Sequence, residues 1–236
     1  MAGITNADFL NKVIPYGFDV ATLGGYSLDA PTIEASKKII ERGRKEFDFP
    51  LDEIFSHIGS EVASIKKIHG DVKVSANVRA TTPQPIIEVG NIKDLDIVEI
   101  NCHCRQDEIL AIGCGQEMLN RADLGDFISQ VVNNVDCDVS VKIRANVDGV
   151  DTLKIARLID DAGADYLHVD AMKKGVFDAD YNLLREICNS VQIQVIGNNS
   201  VNSKLNAEKM IATGVNGFSI ARGVISGNLD FKLSDF

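Results

Sequence analysis

A repeat constrains this chain more than any other feature. From Asp71 onward, short apolar runs alternate with amphipathic helical stretches at a spacing of roughly 25 residues, the length of one strand–helix unit. Strands are predicted over residues 72–78, 96–100, 139–143, 166–170, 192–196 and 217–220. Helices are predicted over 122–135, 152–162, 181–188 and 203–213, with apolar positions three and four apart. Gly163 and Gly214 stand where helix C-caps belong. The N-terminal third is less regular: a helix over 9–16, a short strand over 19–23, then helices over 31–45 and 52–69. Strands that each return after a helix run parallel, so the pattern predicts a parallel sheet.

Seven strands are counted, and an eighth would have to end at Met1-Ala2-Gly3. The expected fold is α/β, a TIM (β/α)8 barrel truncated at the first strand and the last helix, as a single domain over residues 1–236. A doubly wound open sheet is the alternative. The even repeat and the lack of a Gly-rich dinucleotide turn after the first strand weigh against it.

Five cysteines, odd in number and clustered, do not form a disulfide framework and fit a reducing compartment. With no basic leader and only strand-length apolar runs, a cytoplasmic protein without a membrane anchor is expected. The net charge of −10 disfavours a polynucleotide partner unless a local basic patch or another chain provides the contact.

Reactive groups collect at the C-terminal ends of parallel strands. One such end reads Asn101-Cys102-His103-Cys104-Arg105. The one-residue gap between Cys102 and Cys104 is unlike zinc-ligand spacing, and no second pair exists, so no metal is expected. Cys104, on the loop, is a candidate proton donor to carbon while a flavin delivers hydride to the adjacent atom. Cys102, nearer the strand, Cys137 and Cys188 read as packing residues. Lys142 and Arg144 alternate with Val141 and Ile143, so both point one way. Fixed cations there suit the pyrimidine edge of a flavin, or a carboxylate or phosphate substrate. Gly197-Asn198-Asn199 and Ala221-Arg222-Gly223 follow the last two strands, where barrels of this kind hold a phosphate on main-chain amides. His168 and Asp170 share a face and could line the mouth, or His168 could be a satisfied interior histidine. Ser75 and Asn77 point together toward a possible ring. His57 and His69 read as surface residues.

These motifs resemble those of the dihydrouridine synthases, FMN-dependent TIM-barrel reductases, and more distantly the dihydroorotate dehydrogenases. The likeness covers nearly the whole chain. Met1-Ala2-Gly3 is similar to the family's opening motif, and Asn101-Cys102-His103-Cys104-Arg105 to its Asn-x-Gly-Cys-Pro, which puts the acid cysteine at Cys104. Gly113-Cys114-Gly115 resembles the Gly-rich segment that follows. Val141-Lys142-Ile143-Arg144 resembles the strand whose Lys contacts flavin. The resemblance implies FMN held by Met1, Ala2, Ser75, Lys142, His168, Asp170, Gly197, Asn198, Asn199, Ala221, Arg222 and Gly223. It implies catalytic roles for Cys104 and Asn101 and substrate contacts for Arg144 and Arg105.

Three departures stand out. His103 and Arg105 replace the Gly and Pro beside the cysteine, Asp170 falls on the family's flavin-contacting His, and Ser75 on its Gln. The resemblance implies a C-terminal helical domain that grips tRNA, and none is expected within these residues, which disfavours tRNA as a partner of the isolated chain. The expected partner is a pyrimidine-type small molecule or a nucleotide base, with homo-oligomers allowed by the apolar surface of an incomplete barrel. The expected reaction is reduction, or reversible oxidation, of the C=C bond of a uracil-type ring. The alternatives are a dihydroorotate dehydrogenase-like enzyme, a non-catalytic flavin- or phosphate-binding partner subunit, and a flavin-free lyase or isomerase with Lys142 as Schiff-base amine.

Overall fold

In the computed structural model, which describes residues 2–226 and 229–236, seven strands pair in parallel and in strict chain order. They are β1 Val20–Ser27, β2 Lys73–Arg79, β3 Ile97–Cys102, β4 Asp138–Arg144, β5 Tyr166–Asp170, β6 Gln194–Asn198 and β7 Gly217–Ser219. An order that never reverses removes the doubly wound alternative, which needs a switch point. The sheet curls into a half-barrel.

The helices are α1 Ala7–Val13, α2 Ala30–Glu41, α3 Leu51–Ile68, α4 Pro83–Gly90, α5 Asp107–Leu110, α6 Leu124–Val132, α7 Thr152–Asp161, α8 Tyr181–Cys188 and α9 Lys204–Ile211. Alternation along each strand sorts its side chains onto two faces. One face carries Val74, Ala76, Val78, Val98, Ile100, Val141, Ile143, Leu167 and Val169, all buried in the main apolar core beside residues such as Ile58, Val62, Phe127 and Ile128. Each Val, Leu or Ile among them contributes about 1.5–3 kcal/mol by leaving water. The other face carries Asn77, Glu99, Asn101, Ser140, Lys142, His168 and Asp170, and the curl of the sheet encloses them. Among the described residues no helix is long and apolar enough to cross a membrane.

Several element bounds differ from expectation. β1 runs on to Ser27, past the predicted end at residue 23. A Cβ at Gly25 would stand 2.6 Å from Asn77 Oδ1, so this glycine makes room for a neighbouring side chain. α4 lies where no helix was expected, and it contains Pro83 and Pro85. Both occupy the first turn, whose amides have no helical partner to lose. α2 stops at Glu41, short of the predicted residue 45.

Candidate active site

The polar face is organised around Glu99, which the sequence reading did not single out. Its carboxylate accepts from Asn77 Nδ2 at 2.7 Å and Ser140 Oγ at 3.2 Å, and meets His168 Nδ1 at 2.6 Å. Burial works against its charge. His168 and Lys142 nearby, with the hydrogen bonds from His168 and Asn77, outweigh that and hold the carboxyl well below the usual carboxylate range. The other ring nitrogen of His168 sits 2.7 Å from Ser219 Oγ. Both its nitrogens are thus engaged by protein groups, as in the interior-histidine reading.

One step nearer the strand ends, Asn101 donates to Asn77 Oδ1 at 2.8 Å. Its own Oδ1 accepts from the amides of His103 at 3.1 Å and Cys104 at 2.9 Å. Asn101 therefore shapes the cysteine loop from within, and the second N–H of its amide nitrogen bonds to no described residue. Ser75 lies two positions deeper than Asn77 on the same face and is buried, so Asn77 is the β2 residue nearer the mouth.

Cys104 is half-buried, and Arg79 Nη1 donates toward its Sγ at 3.8 Å. Arg79 Nη2 donates to Glu46 at 2.6 Å and to the Gly25 carbonyl at 3.1 Å, with both charged side chains almost wholly buried. Neither Arg79 nor Glu46 was anticipated. Arg79 continues the inward series Ser75, Asn77, which was a readable signal; Glu46 lies between helices and offered none. Gly115 has φ +61, and a Cβ there would fall 2.4 Å from the Cys104 carbonyl. The Gly-rich segment thus seats the cysteine loop. Burial pushes the Cys102 and Cys114 thiols up to about 12, so neither is poised to ionise.

A second cluster joins four strand ends. Asp170 meets His103 Nε2 at 2.7 Å and Arg144 Nη2 at 3.1 Å, and accepts from Asn199 Nδ2 at 2.7 Å. Burial opposes its ionisation, but His103, Arg144 and Asn199 prevail and hold it well below the usual range. Lys142, half-buried on the same face, makes no hydrogen bond or ion pair with any described residue. Arg105 is exposed on the loop.

The two expected phosphate loops adjoin: a Cβ on Gly223 would stand 3.4 Å from the Val201 carbonyl. Asn199 and Ser200 take φ of 106° and 55°, and the amides of Asn199, Ser200 and Val201 donate to no described residue. Two positive φ values in a row on non-glycine residues are strained, as at many ligand-holding turns. Individual residues of these loops also have contacts within the protein. Gly197 is small for packing, since a Cβ would meet Met210 Sδ at 2.4 Å. Asn198 spends its amide on Ser219, at 2.9 Å to the carbonyl and 2.8 Å to Oγ. Ala221 and Gly223 are half-buried and Arg222 exposed. Ala2 is half-buried, next to Gly3, which presses on the main chain of Lys45 and Glu46. Met1 lies outside the described residues. His57 and His69 are half-buried instead of exposed, and His57 stacks on Phe49 with centroids 3.9 Å apart.

A parallel sheet with a polar concave face, and a thiol, cations and open amides at its strand ends, defines the class: an α/β protein whose polar groups gather at the C-terminal strand ends. The family profile described as Dihydrouridine synthase (Dus) matches residues 62–227. An uncharacterized protein of Methanocaldococcus jannaschii is 35% identical over 240 residues, 98% of this chain and 89% of that one. A tRNA-dihydrouridine(20a/20b) synthase-like protein of Mus musculus is 29% identical over 136 residues, covering 55% of this chain and 42% of its own length. Among solved structures, FabK from Thermotoga maritima superposes with a TM-score of 0.59 at 14% identity, over 95% of this chain and 57% of that one, a likeness of fold alone. The chain belongs to the dihydrouridine synthase family.

Proposed function

We propose that this chain is an FMN-dependent oxidoreductase that reduces, or reversibly oxidises, the C=C bond of a uracil-type ring, working in a (β/α)8 barrel truncated at its first strand and last helix. The observation that carries the reading is Lys142: a half-buried cation near Glu99 that makes no hydrogen bond or ion pair with any described residue, on the polar face that also leads to Cys104 and to the loop at residues 199–201 with its unengaged amides. A cation left unpaired in such a place is costly unless a ligand completes it.

These residues fit FMN. Lys142 would face the electron-rich edge of the flavin, and the loops at 199–201 and 221–223 would hold its phosphate. Bound FMN supplies a two-electron hydride carrier. Cys104 Sγ gives up a proton to the neighbouring carbon during reduction and regains it from solvent, or removes it in the reverse direction. Asn101 holds the Cys104 amide, and the Arg79–Glu46 pair stands behind the thiol, so that the sulfur keeps one position. A uracil base in a free nucleotide or in RNA satisfies this chemistry equally. The charge of −10 favours the former for the chain acting alone.

The purified protein is expected to be yellow and to release FMN on heating, identified by mass. Cys104→Ala should keep the flavin and lose turnover of a dihydrouridine or uridine substrate. Colourless protein that takes up no FMN at micromolar concentration overturns the reading. Unchanged turnover in Cys104→Ala removes the acid role alone.

A further inference from the structure

His103 and Cys104 are neighbours on one loop, fixed by the same Asn101 oxygen, yet their side chains part. Cys104 turns toward Arg79 on β2, and His103 toward Asp170 on β5. The imidazole keeps about a quarter of its surface open, at 26% exposure, while Asp170 beneath it keeps 7%.

The geometry decides where the proton of this ring sits. Nε2 lies 2.7 Å from Asp170 Oδ2 and 3.1 Å from Arg144 Nη2. An unprotonated Nε2 would set its lone pair against a carboxylate lone pair. Nε2 therefore carries hydrogen and donates to Asp170, and Arg144 spends its N–H on the same carboxylate at 3.1 Å. Burial lowers the His103 pKa to about 4, with Lys142 and Arg144 adding to it against the opposing pull of Asp170, so the ring is neutral near pH 7. A neutral ring protonated at Nε2 has a lone pair at Nδ1, and no described residue engages that atom.

We propose that His103, locked by Asp170, presents Nδ1 as a hydrogen-bond acceptor to the ring N–H of a planar imide seated in the mouth. This rests on the redox reading above and adds to it a recognition element that the Cys104 chemistry does not require. An imide N–H occurs on both the flavin and the uracil ring, so the test separates the two sources.

FMN and 3-methyl-FMN are titrated into wild type, His103→Leu and Asp170→Asn, and uridine 5′-monophosphate and its 3-methyl form are titrated into the flavin-loaded proteins. Nitrogen NMR of the imidazole reads the tautomer without any ligand. In wild type, methylating the engaged ring nitrogen should weaken binding of one ligand about tenfold, the size of one well-made hydrogen bond. His103→Leu should bind that methylated and unmethylated pair alike. Asp170→Asn keeps the ring but removes the charge that holds the proton on Nε2, and should weaken the same discrimination. The flavin pair responding assigns His103 to the cofactor, and the pyrimidine pair responding assigns it to the substrate. Equal methylation penalties in wild type and His103→Leu for both pairs, or a wild-type ring protonated at Nδ1, overturns the inference while leaving the redox reading intact. Failure of wild type to bind either ligand overturns both.

Discussion

At Glu99, a full charge sits on a strand centre with only 3% of the residue exposed. It survives there because every oxygen has a partner and Lys142 lies near. A carboxyl whose native pKa is depressed adds stability that is present above its unfolded value, about 4.3, and lost as the pH falls through the native value. Acid should therefore begin to destabilise the protein as the pH drops below about 4.3, and Glu99→Gln should flatten that limb of a urea-midpoint-against-pH curve. A variant curve parallel to wild type would show that Glu99 does not differ between the folded and unfolded states. His103, Asp170 and Asn101 are held in the same way, each by polar groups from a neighbouring strand or loop.

Among the elements, the segment between α2 and α3 matters more than its irregular backbone suggests. Glu46 projects from it onto Arg79 at the end of β2, and that pair backs the Cys104 thiol. Removing one member leaves a buried charge alone, at a cost of about 3–5 kcal/mol. Glu46→Ala should show such a loss in urea denaturation, and the paired change Glu46→Leu with Arg79→Met should recover most of it. Equal stability of Glu46→Ala and wild type would mean that the segment does not hold Arg79. A cap joins neighbouring elements too. Asp29 accepts from Thr32 N at 3.1 Å at the start of α2 and from Thr81 N at 2.6 Å just past β2, tying both to one side of the mouth.

For the molecule as a whole, the polar concave face trades stability for a site. Seven strands present their apolar side chains to the helices, and their other face offers charges and amides instead of a dry, branched core. Such a barrel gains from whatever completes that face. FMN at a hundred times its dissociation constant should add about 2.7 kcal/mol, which for a chain of this size raises the melting temperature by about 5–10 °C. A melt unmoved by saturating FMN, read by differential scanning calorimetry, would contradict ligand completion of the site.

Period and alternation are local properties of a chain, and they were sufficient for the seven strands, for the inward pairs Lys142 with Arg144 and His168 with Asp170, and for the loop that carries Cys104. Local pattern did not carry β1 past residue 23 or reveal α4, because the use of Gly25, to admit Asn77, and of Pro83 and Pro85, to start α4, is set by neighbours. Partnership was not legible at all. That Glu99 is the hub of the interior, that Glu46 answers Arg79, and that Asp170 orients His103 across 67 positions depends on which strand ends the curl of the sheet brings within 3 Å of each other. Spacing along the chain carries no record of those distances, because hydrogen bonds and ion pairs act over a few ångströms of space however many residues separate their partners.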